Sequence, residues 1–172
     1  MSQFGSRRSI LGTVIREYQP QDHANLERLM DTFGDELAGM DPLSRVIRAD
    51  GFGRASTNRM VSQAGGSFGC LFVAVADGSV VGFAAGVLRD RPQEEIYEVI
   101  PFHDGEVIEL YVVPDRRRQG VGTNLLRACE GWFLDHGCGA VHIEVFAPNT
   151  SAVEFYARHG YGPRDIHQIK VL

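Results

Sequence analysis

The run Arg117-Arg118-Gln119-Gly120-Val121-Gly122 has the makings of an anion cradle. Its two glycines let backbone approach a ligand closely. The apolar stripe that begins at Val121 predicts a helix whose first-turn N–H groups are unpaired and positively polarised. Phosphate oxygens bind at such a place, and Arg116, Arg117 and Arg118 would attract a polyanion. Other phosphate loops do not match: after Gly120 come Val121, Gly122 and Thr123 instead of Lys-Ser/Thr, and a dinucleotide fingerprint needs glycine where Leu125 stands. Downstream, Tyr156 is a phenol that keeps its proton at neutral pH, and Glu106, Glu109 and Glu144 are carboxylates that could accept one. Each carboxylate also fits an ordinary solvated strand residue or ion-pair partner, and a basic glycine turn also serves tight packing.

These residues must be positioned by their elements. Glu106 to Val113 reads as a strand closed by Pro114, and Val121, Leu125, Cys129 and Trp132 share one stripe of a helix that ends near His136. From Ala140 to Phe146, Val141, Ile143 and Val145 alternate with His142 and Glu144 in a second strand. Alternation sets Glu106 and Glu109 on opposite faces of their strand, unless a bulge near Tyr111 shifts the register. His142, opposite the apolar residues, is expected to face a helix or solvent. A short helix over 149–159 ends at Gly160, and Ile166 to Leu172 predicts a closing strand.

Upstream, Cys70 to Ala76, the turn Asp77-Gly78, and Val80 to Leu88 predict a hairpin. Val14 and Ile15 begin an edge strand stopped by Pro20. Leu26, Leu29, Met30, Phe33 and Leu37 recur at helical spacing, with Asp22 as candidate cap. Asp41-Pro42 predicts another helix start, followed by Leu43, Val46 and Ile47. Gly51 and Gly53 interrupt 49–66, residues 64–67 read as a loop, 1–10 as a loose polar tail, and 89–105 as a polar excursion carrying Glu94, Glu95 and Glu98.

The chain has 172 residues, 44% of them hydrophobic and 23% charged, which suits one domain over 1–172 with a single core. Its net charge of −5 argues against a general nucleic-acid binder and suits cationic partners. No apolar run is long enough for a membrane helix. With no secretory signal evident and three cysteines in no CxxC pair, the expectation is a cytoplasmic protein with reduced thiols. The six histidines have no HxxxH or HExxH spacing, so no metal is expected.

Two segments carry a family resemblance. Leu110-Tyr-Val-Val-Pro-Asp-Arg-Arg-Arg-Gln-Gly-Val-Gly-Thr-Asn-Leu-Leu126 resembles the Arg/Gln-x-x-Gly-x-Gly/Ala signature of the GCN5-related N-acetyltransferase (GNAT) superfamily. Asn149-Thr-Ser-Ala-Val-Glu-Phe-Tyr-Ala-Arg-His-Gly-Tyr161 is similar to its second signature, with Tyr161 where Phe is commoner. The resemblance implies an α/β fold: a twisted, mostly antiparallel mixed sheet, helices on both faces, and a splayed parallel pair joining the Glu106 and Ala140 strands. It also implies acetyl-CoA as co-substrate. Arg117, Arg118, Gln119, Gly120, Val121, Gly122 and Thr123 would hold its pyrophosphate, with Val112, Val113 and Asn149 along the pantetheine arm and Tyr156 beside the sulfur. Direct transfer to a small-molecule or peptide amine would follow. Tyr156 would act as acid, and Glu109, Glu144 or Glu106 as base by analogy with different relatives.

Leu29 to Leu37 with Glu95-Ile-Tyr97 resembles aminoglycoside 3-N-acetyltransferases, whereas the Glu144/Asn149/Tyr156 spacing resembles protein N-terminal acetyltransferases. The acceptor therefore stays open. The resemblance admits a homodimer, and equally a non-catalytic acyl-CoA sensor with the same fold.

Overall fold

The computed structural model describes residues 9–10, 12–89 and 103–171. Among them, six strands form one sheet in chain order: β1 (Ser9–Ile10), β2 (Thr13–Glu17), β3 (Gly69–Ala76), β4 (Ser79–Leu88), β5 (Asp104–Val112) and β6 (Ala140–Ile143). Neighbours are antiparallel except β5 and β6, which run parallel. The four helices are α1 (His23–Met40), α2 (Phe52–Ala64), α3 (Val121–Asp135) and α4 (Thr150–Arg158).

Period-two alternation gives each side of the sheet its own apolar set. Leu71, Val73, Phe83 and Ala85 pack with Leu26 and Met30 of α1 and Met60 of α2. Phe72, Ala74, Ala84 and Val107 pack with Leu125, Leu126, Cys129 and Phe133 of α3. Helices therefore cover both faces. The predicted hairpin is present, with Asp77 (φ 50°) and Gly78 (φ 76°) both left-handed, as its two-residue turn requires.

Two features of β5 shape everything downstream. Its pairing with β6 stops at Val107 opposite Ile143, although β5 continues to Val112, so the two strands part there. Its register against β4 slips between Ala85, opposite Glu109, and Gly86, opposite Val107, leaving Ile108 as an extra residue. The bulge thus lies three residues before Tyr111. It reverses simple alternation: Glu109 opposes Ala85 and Glu106 opposes Val87, so both carboxylates stand on the α1/α2 face.

Several expectations are corrected. Asp22 stands at the N-cap position of α1, but its side chain makes no cap bond there: Arg16 binds both Asp22 carboxylate oxygens at 2.7 and 2.8 Å, and Asp22 Oδ2 accepts from the Gln19 N–H. No helix follows Asp41-Pro42, because the Asp41 carboxylate gathers the N–H groups of Leu43, Arg45 and Val46 into a turn while Ile47 stays 74% exposed. The glycine-interrupted stretch instead holds α2. The Gly53 N–H donates to Asp31 Oδ1, and a Cβ at Gly53 would lie 2.2 Å from the Glu27 carbonyl oxygen, so α1 and α2 meet backbone to backbone.

β6 ends at Ile143, short of Phe146. Residues 161–171 form no strand, and Ile166, Ile169 and Val171 remain exposed. The tail expected over 1–10 lies outside the described residues up to position 8, and Ser9–Ile10 pairs with β2. Glu94, Glu95, Tyr97 and Glu98 also lie outside the described residues.

Candidate active site

A cleft of about 370 Å³ opens beside the C-terminal half of β5. Phe33, Glu36 and Met40 of α1 wall it on one side, and Tyr156 and its neighbours on α4 on the other. The glycine loop closes its outer end. Gly120 (φ 82°) and Arg118 (φ 63°) are left-handed, and no side chain caps α3, so the first-turn N–H groups of Val121, Gly122 and Thr123 are left for a ligand. Arg118, Gly120, Gly122 and Thr123 line the cleft. Val121 sends its side chain into the core and Gln119 donates to the Asp115 carbonyl, so these two can contribute backbone only.

The three arginines do not act as one patch. Arg116 pairs with Asp77 at 2.7 Å. Arg117 pairs with both oxygens of Glu36 at 2.9 and 2.7 Å, donates Nε–H to the Val112 carbonyl at 2.8 Å, and lies 5.4 Å from the Tyr111 ring centre. Arg118 has no ion-pair partner among the described residues. Two of three charges are therefore neutralised locally, which a reading of composition overlooks.

The strand positions also separate. Val113 donates its N–H to Val81 and so faces β4. Alternation then turns the backbone of Val112 and Leu110 toward the gap left by β6. Of the predicted pair, Val112 borders the cleft and Val113 does not.

Asn149 caps α4, its Oδ1 accepting from the Ala152 N–H at 3.1 Å and the Ser151 hydroxyl at 2.9 Å; only its amide nitrogen remains to donate into the cleft. Tyr156 lines the same cleft, its ring 5.1 Å from Phe155 and 5.8 Å from Tyr161. Burial, and then the negative charge of Glu109, push its phenol well above the ordinary range.

Glu109 is thus close enough to Tyr156 to interact across the gap, although it does not line the cleft. Burial raises the Glu109 carboxyl to about 7, partly opposed by Arg59 of α2. The other two carboxylates differ. Glu106 sits 3.9 Å from Arg89, and Glu144 is exposed beyond the end of β6. Like Glu109, neither borders the cleft. His142 faces Asp104 at 3.0 Å and Arg89 at 3.3 Å, at the paired end of β5 and away from the cleft. Thr123 and His159 are 3.0 Å apart, and His159 Nδ1–H donates to the Phe155 carbonyl, tying α3 to α4.

Sequence reasoning passed over Glu36, Tyr111, Arg59 and His159. Glu36 is one charge on an amphipathic helix and Tyr111 one aromatic in a strand; only their meeting at Arg117 gives them a role. Among the described residues no group of three or more His, Cys, Asp or Glu could hold a metal, and no helix is long and apolar enough to cross a membrane.

An α/β sheet with one parted parallel pair thus sets a glycine-led helix N-terminus at the mouth of the gap. The sequence profile of the acetyltransferase (GNAT) family matches residues 26–161, and the chain belongs to that family. An uncharacterized N-acetyltransferase of Methanocaldococcus jannaschii is 32% identical over 98 residues, covering 56% of this chain and 55% of that protein. The aminoglycoside N(6')-acetyltransferase type 1 of Klebsiella aerogenes is 33% identical over 92 residues, 53% of this chain and 58% of that protein. The match thus spans a little over half the length of these relatives. Thialysine N-epsilon-acetyltransferase of Mus musculus matches at 27% over 84% of this chain and 81% of its own. In fold, the chain is similar to the aminoglycoside N-acetyltransferase AAC(6')-Iy, solved with the bisubstrate analogue CoA-S-monomethyl-acetylneamine, at a TM-score of 0.65 and 20% identity, covering 93% of this chain and 99% of that one.

Proposed function

We propose that the chain is an acetyl-CoA-dependent N-acetyltransferase acting on a primary amine of a small molecule or peptide, working as a single domain in the cytoplasm. The observation that carries this reading is one cleft bordered by an uncapped helix N-terminus, an open strand edge and the Tyr156 phenol. The donor set suits the group: N–H groups of Val121 to Thr123 for a pyrophosphate, Val112 and the Asn149 amide for an extended amide-bearing arm, and Tyr156 at the inner end. Bound there, acetyl-CoA would supply an acyl thioester with a thiolate leaving group.

An alkylamine is mostly protonated at neutral pH, so a group must collect its proton before it can attack. Glu109 is the best suited of the three candidates. With its carboxyl at about 7 it is a stronger base than an ordinary glutamate and still substantially ionised near neutrality. Its charge raises the Tyr156 phenol, so once Glu109 accepts the amine's proton that restraint disappears and Tyr156 becomes the better donor. Base and acid are thereby linked in the order the reaction needs them. The names of the relatives, all acting on amines where a substrate is named, support the acceptor class. The three buried free cysteines fit a reducing compartment.

The test is a thiol-release screen with acetyl-CoA over polyamines, aminoglycosides, amino acids and peptide N-termini, alongside calorimetric binding of coenzyme A. Thiol release with at least one amine is expected. Binding without release from any amine replaces the enzyme with a sensor, and no binding overturns both.

A further inference from the structure

The Glu36–Arg117–Val112 contact lies on the one stretch of β5 whose edge is open. Val112 points its N–H and C=O toward the gap, as does Leu110 two residues earlier. The Val112 carbonyl is occupied by Arg117 Nε–H at 2.8 Å. The next residue of the same parity, Pro114, has no N–H. Val112 therefore offers an open N–H while Arg117 competes for its carbonyl, and the next acceptor inward on the edge is the Leu110 carbonyl.

That asymmetry restricts how an extended amide can pair with the strand. An antiparallel exchange at Val112 would need its N–H and its C=O together, and there a ligand must compete with Arg117 for the C=O. A step outward would need an N–H at Pro114. The remaining outer arrangement is a ligand N–H given to the Leu110 carbonyl and a ligand C=O accepting from the Val112 N–H.

Arg117 is held in this place from α1. Both Glu36 oxygens receive its guanidinium, and Oε1 also accepts from the Tyr111 hydroxyl at 2.8 Å. The planar guanidinium presents Nε to β5 and its terminal nitrogen to Glu36 at once, which a lysine ammonium has no geometry to copy. We propose that Glu36 is a positioning residue for the donor: by holding Arg117 on the Val112 carbonyl, it sets the register at which an amide-bearing arm pairs with β5. This rests on the acetyl-CoA reading. Register matters because a sliding arm carries the reacting carbon away from Tyr156, and small misplacements cost rate more than affinity.

The experiment follows backbone carbonyl shifts by NMR in protein labelled with carbonyl-13C leucine and valine, with coenzyme A as the probe, in wild type, Glu36→Gln and Arg117→Lys. In wild type, coenzyme A should move the Leu110 carbonyl and leave Val112 unchanged. In both variants the Val112 carbonyl should shift on adding coenzyme A, with affinity within about threefold and kcat down about tenfold or more. Arg117→Lys keeps the charge, so it carries the test if Glu36→Gln does not fold. A Val112 carbonyl that responds equally in wild type and variants overturns the register role. So do variants that lose affinity and melting temperature in step with kcat, which marks a contact that merely holds the fold. Absence of any shift in wild type overturns the acetyl-CoA reading itself, and this inference with it.

Discussion

The two ends of β5 are one strand put to opposite uses. From Asp104 to Val107 it is flanked by β4 and β6, covered by Phe133 of α3, and tied by the Asp104–His142 and Glu106–Arg89 contacts. From Ile108 to Val112 it keeps β4 alone, and its free edge borders the cleft. A strand paired on both edges has no backbone group left for a ligand. Where β6 departs, the same backbone is left as an unpaired edge, and the bulge at Ile108 turns Glu109 to a half-buried position from which its charge acts on Tyr156. The difference teaches that the site was made by ending a pairing early as much as by adding groups.

Breaking the open end should have the largest effect. Gly120→Glu puts a side chain and a negative charge at a left-handed position beside the uncapped N-terminus, and should abolish coenzyme A binding in calorimetry. Binding retained in this variant would remove the loop from the site.

Glu109→Gln should cost roughly a hundredfold in kcat/KM and flatten the enzyme's part of the ascending limb near pH 7. The amine contributes its own ionisation, so the comparison is made on one substrate at several pH values. A stability signature goes with it. Burial lifts the folded carboxyl from an ordinary value of 4.5 to about 7, so ionisation is penalised in the native state. Wild type should therefore lose stability relative to Glu109→Gln as pH rises from about 4.5 to 7, with the gap constant above and absent below; melting curves that stay parallel across that window would sink the assignment.

At the paired end, Gly105→Ala tests packing alone. Its Cβ would lie 2.4 Å from the Phe133 ring, and about 1–3 kcal/mol of stability should be lost in urea titration with coenzyme A affinity preserved. A loss of affinity without destabilisation would mean the two ends are not separable.

Tyr156→Phe should lower kcat about tenfold and leave coenzyme A affinity within a few-fold, since the ring contacts with Phe155 and Tyr161 survive. Unchanged turnover would reduce Tyr156 to packing. The smallest effects belong to Glu106→Gln and Glu144→Gln, each expected within about twofold of wild-type rate, because one carboxylate is held in a weak ion pair and the other is solvated. A large loss in either would move the base away from Glu109.

Much of this plan was written locally. The loop before α3, the Asn149 cap of α4 and the Asp77-Gly78 turn are short-range patterns whose geometry follows from glycine's freedom, a capping side chain, or two residues that accept left-handed backbone. Strand β5 and helix α3 are equally legible, since an apolar period reports which face is buried. The α2 helix was not, because its glycines look like breaks until Gly53 is seen to admit the backbone of α1. The strand expected at the C-terminal end is absent, since β-branched residues make a strand only where pairing and packing hold them, and Ile166, Ile169 and Val171 stay exposed.

By itself, then, the sequence determined the family, the glycine loop before α3 and the one parallel pair in an otherwise antiparallel sheet, because those depend on residues near one another in the chain. Tertiary structure alone decided which glutamate has its carboxyl raised, which two arginines are paired, and which carbonyl of β5 Arg117 reaches. A one-residue bulge reverses the facing of Glu109, and the partner that occupies Arg117 lies 81 positions away in sequence. Charge and burial at a site depend on every element that converges there, and no local pattern carries that information.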